Sequence, residues 1–455
     1  MSAVLGVVKR KCSETVSAVK KFRVDKFLLL DLLLIAALWF VIFDPPFMIG
    51  FNVLHIFGGA SLLFLLFKRR YWMPLIKFEL ILAALFVYIA VVSLLNGVAL
   101  FDILSSSVVY WMIDIVPIAF VFVDICKIRK YDYEDFEKLI IGAGVVFTVI
   151  GISAILSTAL HDAYYNYLAD AGVIKNSSLY VRTYGFASNL LYSSPIACAV
   201  IGVMCMRRFA LRNKFYYLLL SVAMMAVSYY NGRVSLFVYA AGCLAVFITY
   251  KKHRLKLFVT GASLLAVVII AFLVLRSYVF SEKSPDKHLL WLYAGLSNIF
   301  GRFFGETEQT KYHYNAFNYY INPVNYPYPG NIVNLLFGTG ETILSENSYG
   351  VYTDIGFVND VWYGGFVYVA AVYTAIIAFC RKFKEKLVDS TDDKLVGSFL
   401  SALFVFTFLI GNLKGIFITF NNATTVFWLL FVFSVLRNKE LSPDDFPLFK
   451  KKKVN

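Results

Sequence analysis

Four arginines stand where the chain could bind an anion. Arg233 begins an apolar run, Arg182 precedes another and Arg276 lies near the end of a third. Arg302 lies in the long polar segment that interrupts the apolar runs. An unpaired guanidinium at membrane depth usually faces the protein interior or a wet cavity, and its fork of donors suits phosphate oxygens. We therefore predict that these side chains bind a phosphate-bearing anion; the alternatives are a snorkelling helix anchor and, for Arg302, a surface cation.

The long polar segment is rich in aromatic residues. Between residues 281 and 350, 14 of 70 residues are Trp, Tyr or Phe. A disordered linker is poor in such residues, so the segment is predicted to fold against the membrane surface. Tyr and Trp faces also stack on sugar rings, which favours a carbohydrate ligand. The alternative is an ordinary interfacial aromatic belt.

A group that takes a proton from a sugar hydroxyl has to lie near the anion site and the membrane plane. Asp354 and Asp360 fit this role best, because they stand where the polar segment re-enters an apolar run, and Gly356 after Asp354 permits close backbone approach. His313, in the middle of the segment, is the second candidate, with a surface histidine as its alternative. Further groups on the same predicted side are His161, His288, Glu341 and Glu346.

Other kinds of site find no support in the sequence. It contains no Walker A loop, no H-E-x-x-H pattern and no metal-ligand cluster of useful spacing. The six cysteines lie in or beside apolar runs or in the N-terminal segment, so they predict no disulfide framework. We expect no cofactor and no metal.

Apolar runs fill most of the 455 residues, which are 60% apolar and 16% charged. Ordinary soluble proteins are about 25% charged. Because about 20 apolar residues cross a bilayer, we predict an all-α polytopic integral membrane protein with about 12 transmembrane helices. The predicted spans are 27–43, 47–67, 76–95, 107–125, 139–160, 187–206, 214–230, 234–250, 256–279, 359–380, 394–412 and 418–436.

Basic residues alternate with the predicted spans. Segments on one side hold 34 of the 43 Lys and Arg residues, and the positive-inside rule makes that side cytoplasmic. The net charge of +14 therefore reflects membrane topology and does not indicate nucleic acid. The predicted parts are a cytoplasmic segment 1–26, transmembrane helices 1–9 over 27–279, an external loop 280–358, transmembrane helices 10–12 over 359–436 and a basic cytoplasmic tail 437–455.

Five short patterns lie near the ends of the predicted spans or late in the long polar segment. They are Arg182-Thr-Tyr-Gly-Phe186, Asn231-Gly-Arg-Val-Ser235, Leu335-Leu-Phe-Gly-Thr-Gly340, Thr353-Asp-Ile-Gly-Phe357 and Tyr363-Gly-Gly365. In this order and topology the chain resembles the Wzy-type O-antigen or capsule repeat-unit polymerases. These belong to a superfamily that also contains the O-antigen ligases. The resemblance extends over the whole topology, with one large periplasmic loop late in the chain.

The resemblance implies an enzyme of the bacterial inner membrane. Its substrates would be undecaprenyl-diphosphate-linked oligosaccharides, and the growing glycan would pass from its lipid diphosphate to a hydroxyl of the next repeat unit. Its partners would be membrane lipids, a chain-length regulator and a flippase of the same pathway. Asp354, or else His313, would act as the base. The diphosphate would be neutralised by Arg233, Arg182, Arg276 and Arg302.

Two other functions stay open. An O-antigen ligase would use the same donor with a lipid A core acceptor, but that branch usually has a loop histidine where this chain has Asp354. A flippase for lipid-linked oligosaccharides would need internal repeats and charges in a central cavity. Here only His55 and Asp114 are predicted to lie deep in the membrane.

Overall fold

The computed structural model describes residues 26–47, 53–99, 107–174, 177–182, 184–281, 286–304, 322–343, 349–388, 393–415 and 422–437. Within these ranges the chain forms helices joined by turns and no strands. The helices are α1 (Lys26–Phe43), α2 (Val53–Leu66), α3 (Trp72–Leu95), α4 (Ser107–Tyr110), α5 (Val116–Ile128), α6 (Tyr133–Leu156), α7 (Thr158–Asp170), α8 (Ser193–Arg212), α9 (Phe215–Asn231), α10 (Val234–Thr249), α11 (Arg254–Ser281), α12 (Lys287–Phe304), α13 (Ile332–Phe337), α14 (Gly356–Val388), α15 (Val396–Lys414) and α16 (Asn422–Arg437).

Every apolar run that the sequence predicts as a span contains a helix. Some helix boundaries differ from those of the predicted spans. Helix α6 ends at Leu156, before the predicted end at residue 160, because the side chain of Ser157 accepts from Leu160 N and caps α7. In the described part of the chain, six helices are long and apolar enough to cross a membrane, so this is an α-helical membrane protein. They are Arg69–Leu95, Tyr133–Leu156, Ser193–Arg212, Lys251–Ser281, Gly356–Leu387 and Val396–Lys414.

The segments predicted as basic meet at one end of the bundle, called here the basic end. Glu137, near the start of α6, is fully buried and accepts from Arg207 Nη1 at 2.8 Å and from Arg208 Nε at 2.7 Å. Arg207 also donates to Asp393 at 2.6 Å. Because buried charges are tolerated only when they are paired, this network fixes α6, α8 and the start of α15 against each other.

Two further ion pairs extend the basic end. Asp124 of α5 accepts from Arg70 and, at 2.6 Å, from the hydroxyl of Tyr71. Arg129, just beyond α5, lies 3.5 Å from Asp31 of α1. These pairs join α1, α3 and α5, so the alternation of charge along the sequence corresponds to a real clustering in space.

The intervening segments meet at the opposite end of the bundle. Ser188 N donates to the Asp44 carbonyl and Ser188 Oγ to the Asp44 carboxylate, both at 2.9 Å. Tyr167 donates to Pro46 O at 3.1 Å, and Tyr192 donates to Gly415 O at 3.0 Å. The ends of α1 and α15 are thereby tied to residues 184–192, which precede α8.

The two deep groups singled out in the sequence are in contact. His55 Nδ1 lies 2.6 Å from Asp114 Oδ2, on a π-helical turn (Trp111–Ile115) between α4 and α5. A Cβ at Gly58, one turn beyond His55, would lie 2.7 Å from Asp114 Cα, so the missing side chain lets α2 approach this turn.

We predict that Glu137→Ala destabilises the protein by about 3–5 kcal/mol, because it leaves two guanidinium groups buried without their carboxylate. The melting temperature of the detergent-solubilised protein measures this effect. Glu385→Ala, at an exposed carboxylate on α14, is the matched control and is expected to change little. Equal melting temperatures for the wild type and Glu137→Ala would contradict the structural role of the network.

Candidate functional site

The site begins at the turn between α9 and α10, at the end opposite the basic end. Gly232 N donates to Ser228 O at 2.8 Å, and Ser235 N donates back to Gly232 O at 3.0 Å. A Cβ at Gly232 would lie 2.9 Å from the Leu191 carbonyl oxygen. The turn therefore packs tightly against the segment that precedes α8, and it places Arg233 at the N-terminus of α10.

Asn231 clamps a second segment onto this turn. Its side-chain oxygen accepts from Tyr184 N at 2.8 Å, and its amide donates to Tyr184 O at 2.7 Å, as a neighbouring β-strand would. The Asn231 carbonyl accepts from Arg182 Nε at 3.2 Å. One buried asparagine thus brings the two arginine-bearing patterns of the sequence together.

Both guanidinium groups pack on Trp291 of α12. Arg233 Cζ lies 3.8 Å from the centre of an indole ring, and Arg182 Cζ lies 5.0 Å from it. The indole donates from Nε1 to Tyr230 O at 3.2 Å, and Arg233 Nη2 donates to Trp291 O at 3.3 Å. A Cβ at Gly295, one turn further along α12, would lie 2.9 Å from Arg233 Nε, so only glycine leaves room for this side chain.

The arginine pair carries two positive charges that the described residues do not neutralise. Neither guanidinium forms a salt bridge with a described carboxylate, and Arg233 Nε is buried without a hydrogen-bond partner among the described residues. Burial, with a smaller contribution from the neighbouring Arg233, lowers the pKa of Arg182 to about 10. Burial also lowers the pKa of Arg233. An anion bound between them would relieve both effects, and guanidinium forks suit phosphate oxygens.

Histidine and tyrosine side chains pack beside the arginine pair. Tyr184 OH is hydrogen-bonded to His288 Nδ1, one turn before Trp291 on α12. His161 of α7 is only 1% exposed, and its ring centre lies 4.6 Å from that of Tyr184 and 4.5 Å from that of Tyr180. Burial and the nearby His288 lower the pKa of His161.

The predicted base forms a second cluster. Asp354 pairs with Lys414 at the end of α15, while Asp360 accepts from Asn412 at 2.7 Å. The prediction that Asp354 stands at the re-entry of the loop agrees with its place two residues before α14. Its lysine partner was not foreseen, because the two residues are 60 positions apart in the chain.

The three remaining predicted site residues are Arg276, Arg302 and His313. Arg276 lies on α11 with its Cζ 5.9 Å from the ring centre of Phe280 on the same helix. Arg302 belongs to the last turn of α12, but its side chain lies outside the described residues, as does the whole of His313. The described residues contain no group of three or more His, Cys, Asp and Glu placed to hold a metal ion.

Tyr192 connects the two clusters. Its hydroxyl donates to Gly415 O, next to Lys414, and the preceding Leu191 carbonyl packs on Gly232, next to Arg233. The arginine pair and Asp354 therefore belong to one end of the bundle. No protein-family model, curated protein or solved structure matches the chain, so the function has to be argued from these residues.

We predict that the melting temperature falls less steeply with acid in His161→Gln than in the wild type. The lowered pKa of His161 means that the unfolded chain takes up a proton near pH 6.5 before the native state does. Native stability is therefore retained above about pH 6.5 and is lost as the pH falls below it. An equal fall in melting temperature for the two proteins between about pH 7.5 and about pH 5.5 would contradict a lowered pKa at the buried His161. His253→Gln, at the basic end, is the control.

The pairing of Asp354 with Lys414 predicts coupling between them. We expect Asp354→Asn and Lys414→Met each to lower the melting temperature, and the double variant to lower it by less than the sum of the two. If the two effects simply add, the ion pair contributes nothing to stability. Lys394→Met, a substitution of the same type near the start of α15, is the control.

Proposed function

We propose that this chain polymerises undecaprenyl-diphosphate-linked oligosaccharide repeat units into O-antigen or capsular polysaccharide. The reaction is glycosyl transfer from a lipid diphosphate to an acceptor sugar hydroxyl at the periplasmic face of a bacterial inner membrane. In this proposal about twelve helices cross the membrane, both termini are cytoplasmic, and the segment between α11 and α14 is periplasmic. The clustering of basic segments at one end of the bundle supports this orientation, because cytoplasmic loops carry the excess of Lys and Arg.

The arginine pair is the observation that carries the proposal. When the bond between the sugar and the diphosphate breaks, negative charge develops on the departing phosphate oxygens. Preorganised positive groups aimed at developing charge are commonly the largest contribution to catalysis. Arg182 and Arg233 supply two such groups, held on Trp291 and positioned in advance by Asn231.

The attacking hydroxyl forms the new glycosidic bond and loses its proton to a base. Asp354 is the first candidate for this base and His313 the second, as predicted from the sequence. His288 joins them, because it lies one turn from Trp291 and bonds Tyr184 through Nδ1. No nucleotide or metal is required in this scheme, since the lipid diphosphate is already an activated leaving group.

We predict that Arg182→Ala and Arg233→Ala each reduce polymer synthesis by roughly 100- to 1,000-fold, as removal of one preorganised donor does elsewhere. The measurement is the glycan ladder of a strain that lacks its own copy of the gene and is complemented with each variant, at matched membrane levels. Arg233→Lys is expected to retain part of the activity, because it keeps the charge but loses the guanidinium fork.

Lys287→Ala is the control, because Lys287 is an exposed cation on the same predicted side, at the start of the helix that carries Trp291. Its ladder is expected to match that of the wild type. An equal loss in Lys287→Ala would contradict the special role of the pair. Bare lipid core with accumulated lipid-linked polymer in the deletion strain would identify a ligase, and lipid-linked repeats retained inside the cell would identify a flippase.

A further inference from the structure

Helix α14 is broken at Gly365. This glycine has φ +69° and ψ −179°, which no helical residue adopts. The three carbonyls before the break are bonded from outside the helix: Thr339 N donates to Trp362 O at 2.7 Å, Gly340 N to Tyr363 O at 2.9 Å and Tyr88 OH to Gly364 O at 2.8 Å. Such satisfaction is what an irregular backbone requires inside a membrane, where water cannot replace a lost hydrogen bond.

The segment that supplies the two backbone donors is residues 331–340, called here the inserted segment. Asn331 caps α13 by accepting from Val333 N at 2.8 Å, and α13 ends at Gly338 with φ +83°. A Cβ at Gly338 would lie 2.6 Å from the backbone of Gly364, and Gly340 packs directly on Ser93 of α3. The two glycine-containing patterns near residues 340 and 365 are thus in contact with each other.

The contacts with α3 give the depth of the inserted segment. Helix α3 runs from the basic end to a turn at Asn96. At 1.5 Å per residue, Ser93 lies about 4.5 Å and Tyr88 about 12 Å below Asn96 along the helix axis. Tyr88 OH donates to Phe337 O at 3.2 Å, whereas Gly340 packs on Ser93. From residue 337 to residue 340 the chain therefore moves toward the end of α3 at Asn96, as the outgoing half of a re-entrant hairpin would.

The inserted segment presents apolar side chains on its outside. Within α13, Ile332 is 66% exposed, and Val333, Leu336 and Phe337 are also exposed. On α3, Val91 and Leu95 follow Tyr88 by three and seven residues, which puts them on the same helix face. Both are exposed, Leu95 by 82%. The exposed apolar surface of α13 thus continues that of a helix long and apolar enough to span the membrane.

We propose that the inserted segment lies within the hydrocarbon region of the leaflet opposite the basic end, and that the outer face of α13 contacts phospholipid acyl chains. Part of the segment predicted as an external loop then belongs to the membrane domain. This proposal requires a membrane protein but does not depend on glycosyl transfer.

The test is the environment of a fluorophore attached to the Val333→Cys variant, in full-length protein whose native cysteines are replaced, reconstituted in phosphatidylcholine–phosphatidylglycerol vesicles. Val91→Cys is the lipid-facing reference, and Val324→Cys, at an 80% exposed position earlier in the chain, is the aqueous reference. We expect the label at position 333 to be quenched by brominated lipid like that at position 91, and protected from aqueous iodide.

Iodide quenching at position 333 as strong as at position 324, without quenching by brominated lipid, would overturn the proposal. Disulfide-linked dimers of the unlabelled Val333→Cys variant would overturn it too, since a second copy of the chain would then cover the face. A second measurement keeps all native cysteines: Val333→Lys is expected to lower the amount of folded protein in the membrane several-fold, with Val324→Lys close to wild type. Equal amounts of the two lysine variants would contradict insertion.

Discussion

Two guanidinium groups share one indole, and the end of the bundle that holds them is arranged around that contact. Like charges brought together away from water destabilise the structure unless a counter-charge is supplied. Here the supports are a tryptophan face, two backbone carbonyls and a glycine that leaves room. None of these is an acid. The fold therefore holds Arg182 and Arg233 in place without neutralising them, which suits a site that receives its negative charge from a ligand.

The same bundle buries arginines in a different way at the basic end. Arg207 and Arg208 each bond the carboxylate of Glu137, and Asp393 completes the network. Those charges are matched within the chain, so they stabilise the fold and have no capacity left for a ligand. The contrast between the two ends distinguishes arginines whose charge is matched within the fold from arginines whose charge is not, and their positions in the sequence do not show this difference.

Apolar length and charge alternation predicted much of the architecture. Each predicted span contains a helix, because a run of about 20 apolar residues has few other ways to satisfy its backbone in lipid. The sequence did not predict which residues contact each other across the bundle. Nothing in the sequence indicated that Trp291 packs against two arginines, since both arginines lie more than 50 positions earlier in the chain. Nothing in the sequence indicated that Lys414 pairs with Asp354, since the two residues are 60 positions apart.

The described part of the segment predicted as an external loop contains two helices, α12 and α13. Its polarity is an average over an amphipathic helix, α12, and the inserted segment, whose backbone is satisfied by the break in α14. The signals were present as glycines: Gly338 and Gly340 face Gly364 and Ser93, where any side chain would clash. Sequence showed the glycines, but only the structure shows what they approach.

The most direct test of the account is the affinity of the purified full-length protein for undecaprenyl diphosphate. We predict that the wild type binds it more tightly than the Arg182→Ala/Arg233→Ala double variant, by at least roughly tenfold for each arginine removed. Lys287→Ala should bind like the wild type. Equal affinities for the wild type and the double variant would contradict the assignment of the arginine pair as the diphosphate site.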